Sequence, residues 1–72
     1  MAAFRLLARL ALVSPCEVGV TVTGVPDGDL EPVVRHDVVN TLAEAEARRD
    51  YLVMSLATQL RAEGHELVEL VE

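Results

Sequence analysis

The stretch NTLAEAEARRDYLVMSLATQLRAEGHELVELVE, residues 40–72, decides the fold of this chain. Its Thr41-Leu42-Ala43-Glu44 segment is a capping box, in which the Thr41 side chain accepts from the Glu44 amide and the Glu44 side chain reaches back. Gly64 supplies the left-handed conformation that commonly ends a helix. Together these signals predict a helix from Leu42 to about Glu63, followed at once by a short apolar strand.

Three further strands are predicted before the helix. Glu17 to Val25 alternates valines with polar residues, and Val33 to Val39 returns after a Pro-Asp-Gly turn, so the two form an antiparallel hairpin. Phe4 to Val13 fits a strand by its alternation and a helix by its apolar stripe, and the alternation favours the strand. With the final strand, Glu66 to Glu72, the prediction is a single α+β domain over residues 1–72. Its order is β-β-β-α-β, with a mostly antiparallel sheet of three to four strands and one long helix on one face.

The predicted helix has an apolar stripe that should lie on the sheet, formed by Leu42, Ala45, Leu52, Val53, Leu56 and Leu60. Arg49 projects into the middle of this stripe. Its aliphatic stem can lie over the sheet edge while the guanidinium reaches water. Alternatively, the guanidinium binds a carboxylate at a contact between subunits.

The opposite side of the helix is also apolar. Ala47, Tyr51 and Met54 follow one another at i, i+4 and i+7, where a helix on a sheet normally carries charge. Tyr and Met are enriched at protein contact surfaces. Scattered surface hydrophobics are the simpler explanation of such a row, but they commonly occur singly.

The last strand, like the helix, carries apolar residues on both of its sides. A sheet with one face in water would place them on one side only. We therefore predict a protein interface that includes both helix and strand residues, namely Ala47, Arg49, Tyr51, Met54, Leu67 and Val71.

Size and charge limit the classes of function. A chain of 72 residues buries only about 60% of its unfolded surface, and domains this small usually need a disulfide, a metal or a partner subunit. A single cysteine excludes an internal disulfide, so a partner subunit is the expected source of extra stability. The net charge of −6 and six scattered arginines argue against nucleic acid as a partner. No segment has the ~20 apolar residues of a membrane span.

The residue types that could serve catalysis or metal binding do not occur in the sequence patterns that these functions require. Cys16, His36 and His65 show no motif for a nucleophile with its base, and we expect His36 to be a partly buried structural histidine. The acidic residues of the turn, Asp27, Asp29 and Glu31, open like a calcium loop but lack its glycine and its bidentate glutamate. No catalytic residue, no cofactor and no metal ligand is predicted.

These observations favour a non-enzymatic structural or interaction protein that self-associates or docks with other protein subunits. The chain has no Lys and no Ile, which indicates a GC-rich genome, and a phage virion component of the capsid or tail fits that composition. The alternative is a small acidic regulator or inhibitor that binds a basic site on a protein. Either protein would act in the cytoplasm, or in the virion if a phage encodes it.

Overall fold

The computed structural model of the chain describes residues 2–71 and the side chains of residues 2–68. The strands form one four-stranded sheet in the order β3-β2-β1-β4, and the helix packs on one face of it. The predicted α+β architecture is therefore confirmed. Its elements are β1 (Ala3–Ser14), β2 (Glu17–Pro26), β3 (Val33–Val39), α1 (Leu42–Ala62) and β4 (Glu66–Val71).

The sheet is mixed. β2 pairs antiparallel with both β1 and β3, whereas β4 runs parallel to β1. β4 pairs only with residues 3–7 of β1. Residues 8–14 of β1 consequently have β2 on one side and no strand of the described chain on the other.

The first element is a strand, as its alternation predicted. Phe4, Leu6 and Ala8 are buried under α1, while Arg5 and the other odd-numbered residues face away. A helix would instead have placed Phe4, Leu7, Ala8 and Ala11 on one stripe, and it would have left β2 unpaired on one edge and β4 without its neighbour.

The unpaired half of β1 presents backbone groups to solvent. The Ala3 carbonyl accepts from the Asp27 amide beyond the end of β2, and the Ala2 carbonyl accepts from the Glu66 amide of β4. Backbone direction alternates along a strand. The even-numbered residues Leu10 and Leu12 therefore direct their N–H and C=O groups toward the open edge.

Both ends of α1 follow from local sequence. The Glu44 amide donates to Thr41 Oγ1 at 3.1 Å, which is the predicted N-cap contact. Gly64 has a φ of 88°. Its amide donates to the Arg61 carbonyl, and the next amide, that of His65, donates to the Leu60 carbonyl at 2.9 Å. This pair of bonds is a Schellman motif, so the helix is closed at Ala62 by its own backbone.

The core fills the space between the sheet and α1. Its main cluster comprises Phe4, Leu6, Ala8, Val22, Leu56, Ala57 and Leu60, and a smaller one comprises Val18, Val20 and Ala45. Leu52 packs against both clusters. Among the described residues no buried side chain is polar, and no helix has the length and apolar character that a membrane crossing needs.

The prediction for Leu42 was wrong, since this residue is 60% exposed. Helical side chains point toward the N-terminus of their helix. The side chain of the first helical residue therefore leans off the end of α1 instead of onto the sheet.

Candidate protein-interaction surfaces

The outer helix face, formed by Ala47, Tyr51, Met54 and Thr58, lies where the sequence placed it. Tyr51 is 62% exposed and Met54 is 70% exposed. No element of the described chain covers this face, because α1 meets the sheet only through its opposite side.

Arg48 lies at the border of the outer helix face and contacts both Tyr51 and the neighbouring strand β3. Its guanidinium carbon lies 5.8 Å from the centre of the Tyr51 ring, and its Nε lies 3.3 Å from the carboxylate of Asp37 on β3. One cation thus joins the phenol ring to the neighbouring strand. The ring is held in place by a contact that needs no partner subunit.

Arg49 points inward, as its place in the apolar stripe required. Its side chain is 22% exposed, and its Nε lies 3.3 Å from the carboxylate of Asp50, the next residue. The side chain is therefore mostly covered by this chain itself, and a contact of the guanidinium with a partner subunit stays a prediction.

The two predicted interface residues of β4 are placed differently from those of the helix. Leu67 is half-buried and packs against the main core cluster. Its neighbour Val68 is 60% exposed on the far side of the sheet. The prediction for Val71 lies outside the described side chains. Among the side chains of this strand that the structure describes, Val68 is the exposed apolar one.

A second surface, which the sequence did not single out, is the face of the sheet opposite α1. We call it the open sheet face. Strand register places on it the valines of β3 at 34 and 38, next to the outward residues of β1 and β2. Six of the eleven exposed large apolar side chains among the described residues lie here: Leu7, Val13, Val25, Val34, Val38 and Val68.

A row of polar side chains crosses the middle of the open sheet face. Arg9, Thr21 and His36 are register partners on three adjacent strands. Thr21 Oγ1 and His36 Nδ1 are 3.0 Å apart, within hydrogen-bonding distance. His36 is exposed, so the expectation of a partly buried histidine was wrong.

Gly19 leaves room for Val13 on the open sheet face. A β-carbon built on Gly19 would lie 3.1 Å from a methyl group of Val13 and 3.6 Å from the His36 ring. The missing side chain lets Val13 fold over the backbone of β2. Val13 therefore belongs to the open sheet face although β1 shifts register between Leu12 and Ser14.

The open sheet face could have been found only with the strand order known. Thr21 and Thr23 correctly marked the outward side of β2 as polar. Their neighbours across the strands, among them Leu7 and Val34, are apolar. Each strand alone shows one or two such residues, and the patch exists only when the four strands lie side by side.

Cys16, His36 and His65 lie in three separate environments. Cys16 is exposed in the turn between β1 and β2. His65 Nδ1 accepts from the Ala2 amide at 3.3 Å, and its ring lies 4.8 Å from that of Phe4. His65 therefore ties the end of α1 to the start of β1.

The acidic turn also makes a structural contact. Asp27 Oδ1 accepts from the Ala3 amide at 3.3 Å. Across the described residues, no three His, Cys, Asp or Glu side chains are grouped so that they could hold a metal ion. What the described surface offers chemically is apolar contact area, interrupted on the sheet by a row of polar side chains.

Comparisons with protein-family models, with curated proteins and with solved structures give no match, so the two surfaces themselves carry the functional interpretation.

Proposed function

We propose that this chain is a non-enzymatic structural protein that binds protein subunits, either its own copies or other members of a larger assembly. The observation that carries the proposal is the open sheet face, with six exposed large apolar side chains on one side of a small domain. Exposed apolar patches are typical of protein interaction sites, and here one lies on each side of the polar row.

The outer helix face supports the same proposal independently. Tyr51 and Met54 belong to residue types that are enriched where proteins meet. With both outer layers of a two-layer domain partly apolar, water faces apolar side chains on each side of the molecule. A partner that covers either layer would add buried area that a chain of 72 residues cannot supply for itself.

The assembly that best fits the composition is a phage virion, in which the chain would serve the capsid or tail. The absence of Lys and Ile supports a high-GC host. In that setting its partners are protein subunits and neither nucleic acid nor membrane. Its place is the cytoplasm during assembly and the virion afterwards.

One observation favours a second candidate, a small acidic regulator or inhibitor. Glu44, Glu46 and Asp50 are exposed on the N-terminal half of α1, next to Tyr51. A basic site on another protein would match these carboxylates.

The test of the proposal is the native mass of the chain across a wide range of micromolar concentrations, measured by light scattering after gel filtration. We expect a multimer, with a melting temperature that rises with protein concentration because association stabilises the folded state. A compact monomer with a melting temperature independent of concentration would contradict self-association. The acidic regulator would then be the function to pursue.

A further inference from the structure

We infer that a second copy of this chain pairs with the unpaired half of β1, residues 8–14, strand against strand and antiparallel about a two-fold axis at Ala11. The two sheets then form one continuous sheet with both helices on the same side. This inference rests on the proposed function, whose self-associating form it specifies. It places the contact at a backbone edge and not at either of the two apolar surfaces.

The backbone of this half-strand lacks hydrogen-bond partners. Leu10 and Leu12 direct their N–H and C=O groups toward the open edge, and β4 pairs with β1 no further than Leu7. Within the described part of the chain, no side chain bonds to the backbone of Leu10 or Leu12. β1 keeps a regular register with β2 as far as Leu12, so these edge groups have the spacing of an ordinary strand. Such an edge is a template for another strand.

The outer edge of β3 is closed by its own charged side chains. The Asp27 amide, just beyond β2, faces β1, so the even-numbered residues of β2 face β3 and are matched there by odd-numbered ones. The even-numbered residues of β3 therefore point outward. Arg35 donates to the Val34 carbonyl at 3.3 Å, and the Asp37 carboxylate accepts from the Val38 amide at 2.8 Å. A strand approaching β3 would meet backbone groups that are already bonded.

The outer edge of β4 also disfavours pairing. Two of its residues, Glu66 and Glu69, are acidic. Its register with β1 shifts between Phe4 and Arg5, so its ladder is irregular. Charges and bulges are the features by which strand edges avoid other chains. The unpaired half of β1 has Arg9 as its single charged residue, and it is therefore the edge that accepts a strand most readily.

The direction of the backbone groups determines the register of the inferred pair. Antiparallel residues that exchange hydrogen bonds must both point toward the shared edge, so even-numbered residues of one copy lie opposite even-numbered residues of the other. A register centred on Ala11 sets each Leu10 opposite Leu12 of the second copy. It also uses the whole of residues 8–14, the part of β1 that β4 leaves open.

This register keeps like charges apart. Arg9 of one copy lies opposite Val13 of the other, and the Cα atoms of the two Arg9 residues are about 14 Å apart along the strands. That distance exceeds the screening length of about 8 Å at physiological ionic strength. Pairing therefore brings no charged side chain next to one of the same sign.

The same register covers the most exposed of the large apolar side chains that the structure describes. Leu12 is 78% exposed, whereas Leu10 is half-buried against the smaller core cluster. Residues directly opposite in an antiparallel pair have their side chains on the same face, so Leu12 of one copy lies beside Leu10 of the other. The smaller core cluster thereby continues across the axis, which adds the buried area that a chain of 72 residues lacks.

The test is a disulfide across the axis, in a chain whose natural thiol is removed by Cys16→Ser. In the inferred register the two Ala11 residues form a non-hydrogen-bonded pair with Cα atoms about 4.5 Å apart. A disulfide spans this distance. We expect Ala11→Cys to convert most chains into a covalent dimer under mild oxidation, with twice the mass of one chain on a non-reducing gel.

Arg9→Cys, in the same Cys16→Ser chain, is the matched control. Residues 9 and 11 are both exposed and lie on the same side of the same strand. The two Arg9 positions are about 14 Å apart in the inferred pair, too far for a disulfide. We expect this variant to stay a single chain on the gel.

A second variant removes a donor from the edge. Leu12→Pro deletes the amide that faces outward and keeps the hydrogen bonds between β1 and β2, and proline is tolerated in edge strands at such positions. We expect light scattering to show a monomer with the circular dichroism of the natural chain, at a concentration where the natural chain is at least a dimer. Tyr51→Glu with Met54→Glu alters the outer helix face, away from this edge, and should leave the β1 dimer in place.

Equal cross-linking of Ala11→Cys and Arg9→Cys would indicate random collisions and overturn the inferred pair. A multimeric natural chain whose Ala11→Cys variant forms no disulfide would overturn it as well, while self-association would stand. A monomeric natural chain would overturn the inference and leave binding to other subunits as the remaining form of the proposed function. If Leu12→Pro does not fold, the comparison of Ala11→Cys with Arg9→Cys decides alone.

Discussion

Gly64 is the residue on which the end of α1 depends. Its φ of 88° is accessible to glycine and unfavourable for residues with a β-carbon. We expect Gly64→Ala to lower the free energy of unfolding by about 1 kcal/mol. Urea denaturation followed by circular dichroism measures this change.

Gly28→Ala is the matched control. A β-carbon at this position meets no atom within 4 Å, and its φ is not in the left-handed region. The substitution should leave stability unchanged or raise it slightly, because alanine restricts the unfolded chain. Equal losses in the two variants would mean that the Schellman motif does not explain the cost at Gly64.

Residues whose role is set by near neighbours could be predicted, and the others could not. Thr41 and Gly64 act within five positions of their own place in the chain. His65 follows the helix directly, but it accepts a hydrogen bond from the Ala2 amide, 63 positions earlier. No local pattern carries that information. The same limit applies to His36, whose neighbours across the sheet are fixed by register.

At the scale of elements, β1 shows how pairing resolves an ambiguous pattern. Its apolar residues fit a helix as well as a strand, and neighbours on both sides decide for the strand. The open sheet face depends on the same pairing, because outward residues of all four strands form it. The outer helix face needs only the 3.6-residue period, and this difference explains why only one of the two surfaces was predicted.

The unpaired half of β1 leads to a prediction about aggregation. Leu12 is 78% exposed, and it belongs to an uncharged run, residues 10–13, whose outer backbone edge meets no other strand in the described part of the chain. Exposed apolar edges of this kind promote pairing between chains, and lysine suppresses it. We expect Leu12→Lys to reduce aggregation, so that heated solutions stay free of turbidity up to a higher protein concentration. The free energy of unfolding should change by no more than about 0.5 kcal/mol.

Leu30→Lys controls for the added charge, since Leu30 is also exposed but lies in the loop between β2 and β3. If both substitutions improve solubility equally, net charge is responsible and the strand edge is not.

For the whole molecule, stability depends on a single thin layer of side chains between sheet and helix. Leu56 is fully buried in the main core cluster. Leu56→Ala should lower the free energy of unfolding by roughly 2–5 kcal/mol, because it removes contacts and leaves a cavity. In so small a domain this loss should unfold much of the protein, which circular dichroism at room temperature would detect.

Met54→Ala provides the comparison, two positions away on the other side of α1. This side chain is 70% exposed, so its loss should leave the folded monomer almost unchanged. Similar destabilisation by both substitutions would mean that Met54 is buried in the assembled protein, as the proposed function expects.

The position of β4 beside β1 has a consequence for how the chain folds during its synthesis. β1 is made first, but its second neighbour comes from Glu66–Val71, so the ribosome must add some sixty residues before that pair can form. Contacts between such distant parts of a chain are slow to form, because a long loop must close first. Until then the edge of β1 that β4 will cover stays available to other nascent chains. Chaperone capture or early encounter with a partner during translation would protect the protein in this interval.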